Sequence, residues 1–233
     1  TAKSMLVAAA VRLAAFNLSA IRRMTDYDDM DLGSLGERKR AIFCVIPDNG
    51  DTSFNYIIGM LYTCAFQELY YRADQLHGGV LPVPVRIIMD EFQNVPVPGG
   101  DDFGKILATC RSRQIFCNII IQNMAALRAM FDKDWENITG NCDSLLYLGG
   151  NEQSTHEYIS KLLGKSTIDT KTRGITRGRS GSSSENFQHS GRELLQPDEV
   201  RMLDNDFALL FIRGERPGMD RKFGLMRHPH VRY

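Results

Sequence analysis

Two adjacent carboxylates, Asp90 and Glu91, close the run Val85-Arg86-Ile87-Ile88-Met89, which has the composition of a short buried strand. A strand of a parallel sheet delivers such a pair to the C-terminal edge, where α/β folds bind ligands. There one acid can hold the water shell of a Mg2+ ion while the next orients or deprotonates an attacking water. Apolar runs ending in two acids are also common as solvated strand ends, so the pair gains weight only from its neighbours. Gln122 follows a second apolar run, residues 115–121. Beside Asp90 in a parallel sheet its amide could sense a terminal phosphate; otherwise it shares a helix-capping role with Asn123. Arg111 and Arg113 stand just before that run. Arginines so placed can act on the phosphate of a neighbouring subunit, bind DNA phosphates, or simply complement a helix C-terminus.

The phosphate-binding partner of such acids would read G-x-x-x-x-G-K-[ST], and Gly164-Lys165-Ser166-Thr167 imitates its end. Yet Ile159 stands five positions before Gly164, and residues 154–163 read as a helix, whereas a phosphate loop follows a strand and opens a helix. The tetrapeptide is therefore rejected, Gly164 is expected to end the helix in a left-handed conformation, and no phosphate loop is found in the chain. Between residues 167 and 189 the composition turns to Thr, Ser, Gly and Arg, with Lys171, Arg173, Arg177 and Arg179 against Asp169 and Glu185. Nothing there can build a core. That leaves a basic, flexible loop or hairpin facing DNA or a neighbouring subunit, or a tolerated surface insertion. His228-Pro229-His230 lacks nearby Cys or acid ligands, so a metal enzyme is remote. The five cysteines never fall in a CxxC spacing, which argues against a disulfide framework and for reduced thiols.

Positioning these residues falls to a chain of 233 residues, 43% hydrophobic and 24% charged with no net charge, enough for one or at most two domains and excluding disorder, collagen and coiled coil. The most apolar stretch, residues 5–16, is broken by Arg12 and falls short of the ~20 residues a bilayer span requires; no signal peptide opens the chain. The segment is thus expected to be soluble, and its start at Thr1 suggests a fragment of something longer. Residues 1–160 carry a charge of −5 and residues 161–233 one of +5, which directs the search for an anionic partner to the C-terminal part. Helices are expected over 4–16, from 53 to 76, and over 102–109, 124–131, 154–163 and 197–203, the fifth capped by Ser154 and Glu157. Apolar strands are expected over 41–46, 85–89, 115–121, 145–148 and 207–212. Residues 22–40, broken by Gly33 and Gly36, read as a connector. Strands apolar throughout and separated by helices predict an α/β fold with a parallel sheet covered on both faces, Asp90 lying between strands 42–46 and 115–121 with Gln122 on the same edge.

One ordered set of blocks carries a resemblance. It comprises Leu81-Pro82-Val83-Pro84-Val85-Arg86-Ile87-Ile88-Met89-Asp90-Glu91-Phe92-Gln93-Asn94, Thr109-Cys110-Arg111-Ser112-Arg113, Ile119-Ile120-Ile121-Gln122-Asn123, Gly140-Asn141-Cys142-Asp143, Leu148-Gly149-Gly150, Ile159-Ser160-Lys161-Leu162-Leu163-Gly164-Lys165, Gly191-Arg192-Glu193-Leu194-Leu195 and Gly214-Glu215-Arg216-Pro217. In this order they closely resemble the type IV secretion coupling proteins, the TraG/TraD/VirD group of conjugative ATPases. The resemblance implies a hexameric motor at the cytoplasmic face of the bacterial cell membrane, with a RecA-like P-loop NTPase domain and an all-α domain inserted in it. Such a motor uses ATP and Mg2+, recruits a relaxase bound to single-stranded DNA, and passes it to the secretion channel components. Residues 1–35 would be the end of the all-α domain and a connector, and residues 36–233 the distal part of the RecA-like domain, with 167–190 its basic loop. Asp90 and Glu91 become the Walker B acids, Gln122 the γ-phosphate sensor, and Arg111 or Arg113 a trans-acting arginine. The membrane helices and phosphate loop of the family lie N-terminal to this region, and Gln93 stands where the family often has a small residue. Competing readings are a catalytically silent module that docks relaxase or channel components, and another RecA-like DNA translocase. The segment alone is expected to be an inactive monomer.

Overall fold

A computed structural model describes residues 2–45, 55–94, 103–176 and 182–231. The chain opens with α1 (Ala2–Leu13) and α2 (Ser19–Thr25). Met5, Leu6 and Val7 of α1 are exposed, so this apolar helix finds little cover among the described residues. The connector turns through a 3-10 segment, Leu32–Gly36, that lies on α3 (Asn55–Tyr71). Two glycines allow this approach. The Arg72 guanidinium fills the space a Cβ at Gly33 would need, and a Leu81 methyl would lie 2.7 Å from one at Gly36. Glu37 accepts from Arg72 at 3.2 Å and faces His77 Nε2 at 2.7 Å, and hydrogen bonds from His77 and Arg72 hold its carboxyl below the usual range.

The apolar run after the connector departs from expectation. Residues 41–45 form no strand, Phe43 and Val45 being 88% and 90% exposed, and Ile46 lies outside the described residues. Strand-like composition becomes a strand only against a partner. Arg40 instead ties the start of this run to the connector through Ser34 Oγ at 2.7 Å and the Asp31 carbonyl at 3.0 Å.

The main core forms around two parallel strands, β1 (Val85–Met89) and β2 (Ile115–Ile119), paired in register from Val85 with Ile115 to Met89 with Ile119. Helices α3, α4 (Phe103–Cys110), α5 (Met124–Phe131) and α6 (Trp135–Gly140) supply the rest of this core. Leu69, Phe103 and Ile115 are wholly buried, and Phe92 packs on Phe103 with ring centroids 5.3 Å apart. Along each strand every second side chain turns inward. The outward set, Arg86 and Ile88 on β1 and Phe116 and Asn118 on β2, is exposed. The outward face mixes the apolar Ile88 and Phe116 with the polar Arg86 and Asn118, and within the described residues cover is found for the inward face alone.

A second cluster, Tyr147, Ile159, Val200 and Leu209, joins β3 (Ser144–Tyr147), α7 (Gln153–Leu163), α8 (Pro197–Arg201) and β6 (Phe207–Ile212). Here β6 pairs antiparallel with β3 and with β7 (Gly218–Arg221). An all-apolar strand reports burial on two faces and not direction, so the expected parallel pairing is observed for β1 and β2 alone among the described strands. Helix α7 is capped by Glu152, not by Ser154 and Glu157: its carboxylate accepts the backbone N–H groups of Ser154 and Thr155 at 2.8 Å each. Between α7 and α8 the backbone forms an antiparallel ribbon of β4 (Lys165–Thr176) and β5 (Ser182–Glu193). No helix among the described residues is long and apolar enough to cross a membrane.

Candidate functional site

Residue Met89 ends β1 with its carbonyl accepting the Ile120 N–H at 3.0 Å, and Phe92 N–H returns to the Ile120 carbonyl at 3.1 Å. These bonds carry the pairing of the two strands past their ends and hold the Asp90-Glu91 turn against the segment that carries Gln122. Glu91 adopts φ 49°, a left-handed conformation, and its N–H donates to Asp90 Oδ1 at 3.0 Å. Its carboxylate thereby faces Gln122, whose Nε2 lies 3.0 Å from Oε2 and 3.3 Å from Oε1. Gln93 Nε2 donates to Oε2 at 2.6 Å and Asn94 Nδ2 at 3.4 Å. Neutral amide donors orient an ionised carboxylate without cancelling its charge, which leaves it able to accept a proton or a hydrogen bond from water. The Gln93 side-chain carbonyl is buried without a partner among the described residues, an acceptor that a water would satisfy.

Arg111 and Arg113 precede β2 and so lie at the opposite end of these strands, whose five residues span roughly 13 Å at ~3.3 Å per residue. Neither faces Glu91 of its own chain. Arg113 is fully engaged: Nε and Nη2 donate to the two oxygens of Asp74 at 2.8 Å each, and its guanidinium lies 4.5 Å above the Tyr70 ring. Among the described residues the Arg111 side chain makes one bond, Nη1 to Asp143 Oδ2 at 2.7 Å, and it is 67% exposed. In the ribbon, Lys171 and Arg173 stand in register with Phe187 and Glu185, while Arg177 and Arg179 lie outside the described residues. The rejected tetrapeptide runs from helix to strand: α7 ends at Leu163, Gly164 takes φ 80° and ψ −166°, and Lys165 opens β4. Gly164 thus has a positive φ but an extended ψ, not the left-handed helical cap expected of it.

A family model for type IV secretory system conjugative DNA transfer matches residues 1–225. The chain belongs to this family of coupling proteins. It is similar to the protein VirD4 of Rhizobium radiobacter, 26% identical over 203 residues that make up 84% of this chain and 28% of that protein. VirD4 of Rhizobium rhizogenes is 23% identical over 201 residues, with 84% and 29% covered. The chain therefore spans less than a third of the length of these curated relatives. Among solved structures it resembles the bacterial conjugative coupling protein TrwB in a trigonal form with sulphate, with a TM-score of 0.63, 15% identity and coverage of 87% of this chain and 46% of that one. TrwB in complex with ADP and Mg2+ superposes with a TM-score of 0.55 at 15% identity, covering 76% and 39%. The likeness extends the RecA-like P-loop NTPase fold to this coupling-protein chain.

Several residues that hold the candidate site together escaped the reading by motif. Thr155 Oγ1 donates to Glu152 Oε2 at 2.6 Å and accepts the Met124 N–H at 2.9 Å, so the cap of α7 also fixes the start of α5, two residues after Gln122. Burial alone would raise the Glu152 carboxyl, but the hydroxyl and backbone N–H groups of Thr155 and Ser154 bring it down to about 2. A Glu directly before a helical stretch was the available signal. The role of Gln93 as a donor to Glu91 had none, because it depends on the turn between them.

Proposed function

We propose that this chain is the distal part of the motor domain of a coupling protein that hydrolyses ATP to drive conjugative DNA transfer. The observation that carries the reading is the carboxylate of Glu91, held at the C-terminal edge of β1 by the Gln122 amide from the segment that follows the adjacent parallel strand β2. Glu91 accepts a hydrogen bond from the attacking water and takes its proton as the water oxygen bonds to the γ-phosphorus and the bond from that phosphorus to the β–γ bridging oxygen breaks, ADP leaving with the electron pair. The Gln122 amide holds that carboxylate in place and reports the terminal phosphate to β2. Asp90, a hard oxygen ligand one residue before, is the residue that would hold Mg2+ through water, and the ion would supply neutralisation of phosphate charge there. Arg111 reaches the phosphate of a neighbouring subunit, since within its own chain it lies at the far end of the strands. Among the described residues Arg111 keeps donors to spare, whereas Arg113 is spent on Asp74 and Tyr70.

The energy of hydrolysis would move single-stranded DNA with its bound relaxase toward the secretion channel, in a ring at the inner face of the membrane. The basic residues Lys171, Arg173, Arg177 and Arg179 contact DNA phosphates in this reading. The structure of TrwB with ADP and Mg2+ supports the choice of nucleotide and ion. The test is ATP turnover and equilibrium ATP binding by the full-length protein carrying Glu91→Gln. Turnover is expected to fall about 100-fold or more while ATP affinity stays within about threefold, because the phosphates keep their other ligands. Unchanged turnover would make Glu91 a structural residue.

A further inference from the structure

Three blocks far apart in sequence meet at the edge opposite Glu91. Arg111 precedes β2, Asp143 precedes β3, and Arg213 follows β6. Asp143 divides its carboxylate between two guanidinium groups, Oδ2 accepting from Arg111 Nη1 at 2.7 Å and Oδ1 lying 3.0 Å from Arg213 Nη1. Arg213 is anchored further: its Nη2 donates to the Gly140 carbonyl at 2.8 Å, and its backbone N–H donates to the Asp143 carbonyl at 2.9 Å. Both arginine side chains remain more than half exposed, 67% for Arg111 and 58% for Arg213. Ion pairs this open to water contribute little to stability, so folding energy does not account for the arrangement.

Charge does. A single Arg111–Asp143 pair would be neutral overall and would attract a phosphate weakly. Two guanidiniums sharing one carboxylate leave a net charge of +1, while the carboxylate fixes where Arg111 points. The contrasting pair, Arg113 with Asp74, is neutral and uses both oxygens on one fork. We propose that Asp143 and Arg213 are positioning residues that hold Arg111, with a surplus positive charge, for the nucleotide phosphate of a neighbouring subunit. The inference rests on the trans-acting reading of Arg111 given above. Asp143 aims the guanidinium, and Arg213 offsets the charge that aiming would otherwise cancel. The cluster also bridges the β1–β2 unit and the β3–β6–β7 unit, so a shift between them would move Arg111.

The test is ATP turnover by the full-length assembled protein with mixed subunits. Arg111→Ala alone is expected to lower kcat about 100-fold, and Arg213→Ala or Asp143→Asn about 10-fold, with KM for ATP within about threefold of the unmodified protein. Arg213→Lys keeps the charge and is expected to retain more of kcat than Arg213→Ala. Mixing Arg213→Ala subunits with Glu91→Gln subunits is expected to restore turnover above that of either alone, because some interfaces then join an intact Glu91 to an intact arginine cluster. If the mixture restores turnover with Arg111→Ala but not with Arg213→Ala, the positioning role is overturned and the trans action of Arg111 stands. If neither mixture recovers, the trans reading fails and takes this proposal with it. Loss of salt-dependent DNA affinity with kcat unchanged in every arginine variant would assign the cluster to DNA phosphates and likewise overturn it.

Discussion

Glu91 occupies the left-handed region at φ 49°, which costs a residue with a full side chain about 1–3 kcal/mol. Such strain at the residue proposed to activate water is a cost to stability carried for position. Replacing it with glycine, Glu91→Gly, should leave unfolding free energy equal to or up to about 1 kcal/mol above that of the unmodified protein by denaturant titration, although turnover is lost; at a relaxed position the same change would cost about 1 kcal/mol. Glu152 gives a prediction with a pH sign. Its carboxyl is held at about 2 against an ordinary value of 4.5, so its contribution is complete above pH 4.5 and is lost as pH falls toward 2. Glu37, also held low, acts in the same direction. Glu152→Ala should cost about 1 kcal/mol at neutral pH and flatten the loss of stability between pH 4.5 and 2, as read by thermal unfolding across that range.

Elements were legible where their stabilising contacts are local or lie within one unit. The helical periodicity over Ile57, Ile58, Leu61, Ala65 and Leu69 became α3, and the runs at 85–89 and 115–121 supplied the parallel pair, the second ending at Ile119. The run at 41–45 carries the same composition and stays unpaired, because a strand exists only with a partner that composition cannot name. Direction was equally hidden in β6, whose apolar pattern is the same for parallel and antiparallel neighbours. Within the main core, Phe103 is wholly buried and packs on Phe92 and Phe131. Phe103→Ala should cost about 3–5 kcal/mol by denaturant unfolding, and Gly104, which carries no side chain, offers little to collapse into the cavity. For the β4–β5 ribbon the prediction is electrostatic. Replacing Lys171, Arg173, Arg177 and Arg179 by Gln in the full-length protein should lower the slope of log DNA affinity against log salt by about 3, since each phosphate contact releases roughly 0.7–0.9 of a counterion. An unchanged slope would leave the ribbon as an insertion.

At the scale of the whole molecule, the candidate site divides between two ends of one small parallel sheet: acids and amide at one edge, a basic cluster at the other. Motif reading singled out Asp90, Glu91, Gln122, Arg111 and Arg113 as candidates from residue type together with the family resemblance of the blocks that carry them. It missed Asp143 and Arg213 as partners of Arg111, because 32 residues separate Arg111 from Asp143 and only the tertiary fold joins them to Arg213. Residues 1–233 alone contain no G-x-x-x-x-G-K-[ST] sequence, and Asp90 with Glu91 presents negative charge to ATP. Calorimetry should therefore detect no micromolar ATP binding by this segment, and sedimentation should find it monomeric. The central claim is that Glu91 and Gln122 act as one unit on the attacking water, and the most direct measurement is single-turnover ATP hydrolysis by the full-length protein in a double-mutant cycle. Glu91→Gln and Gln122→Ala should each slow the chemical step, and the double variant should be no more than about threefold slower than the worse single one. Either single variant hydrolysing at the unmodified rate, or effects that simply multiply in the double variant, would contradict the account.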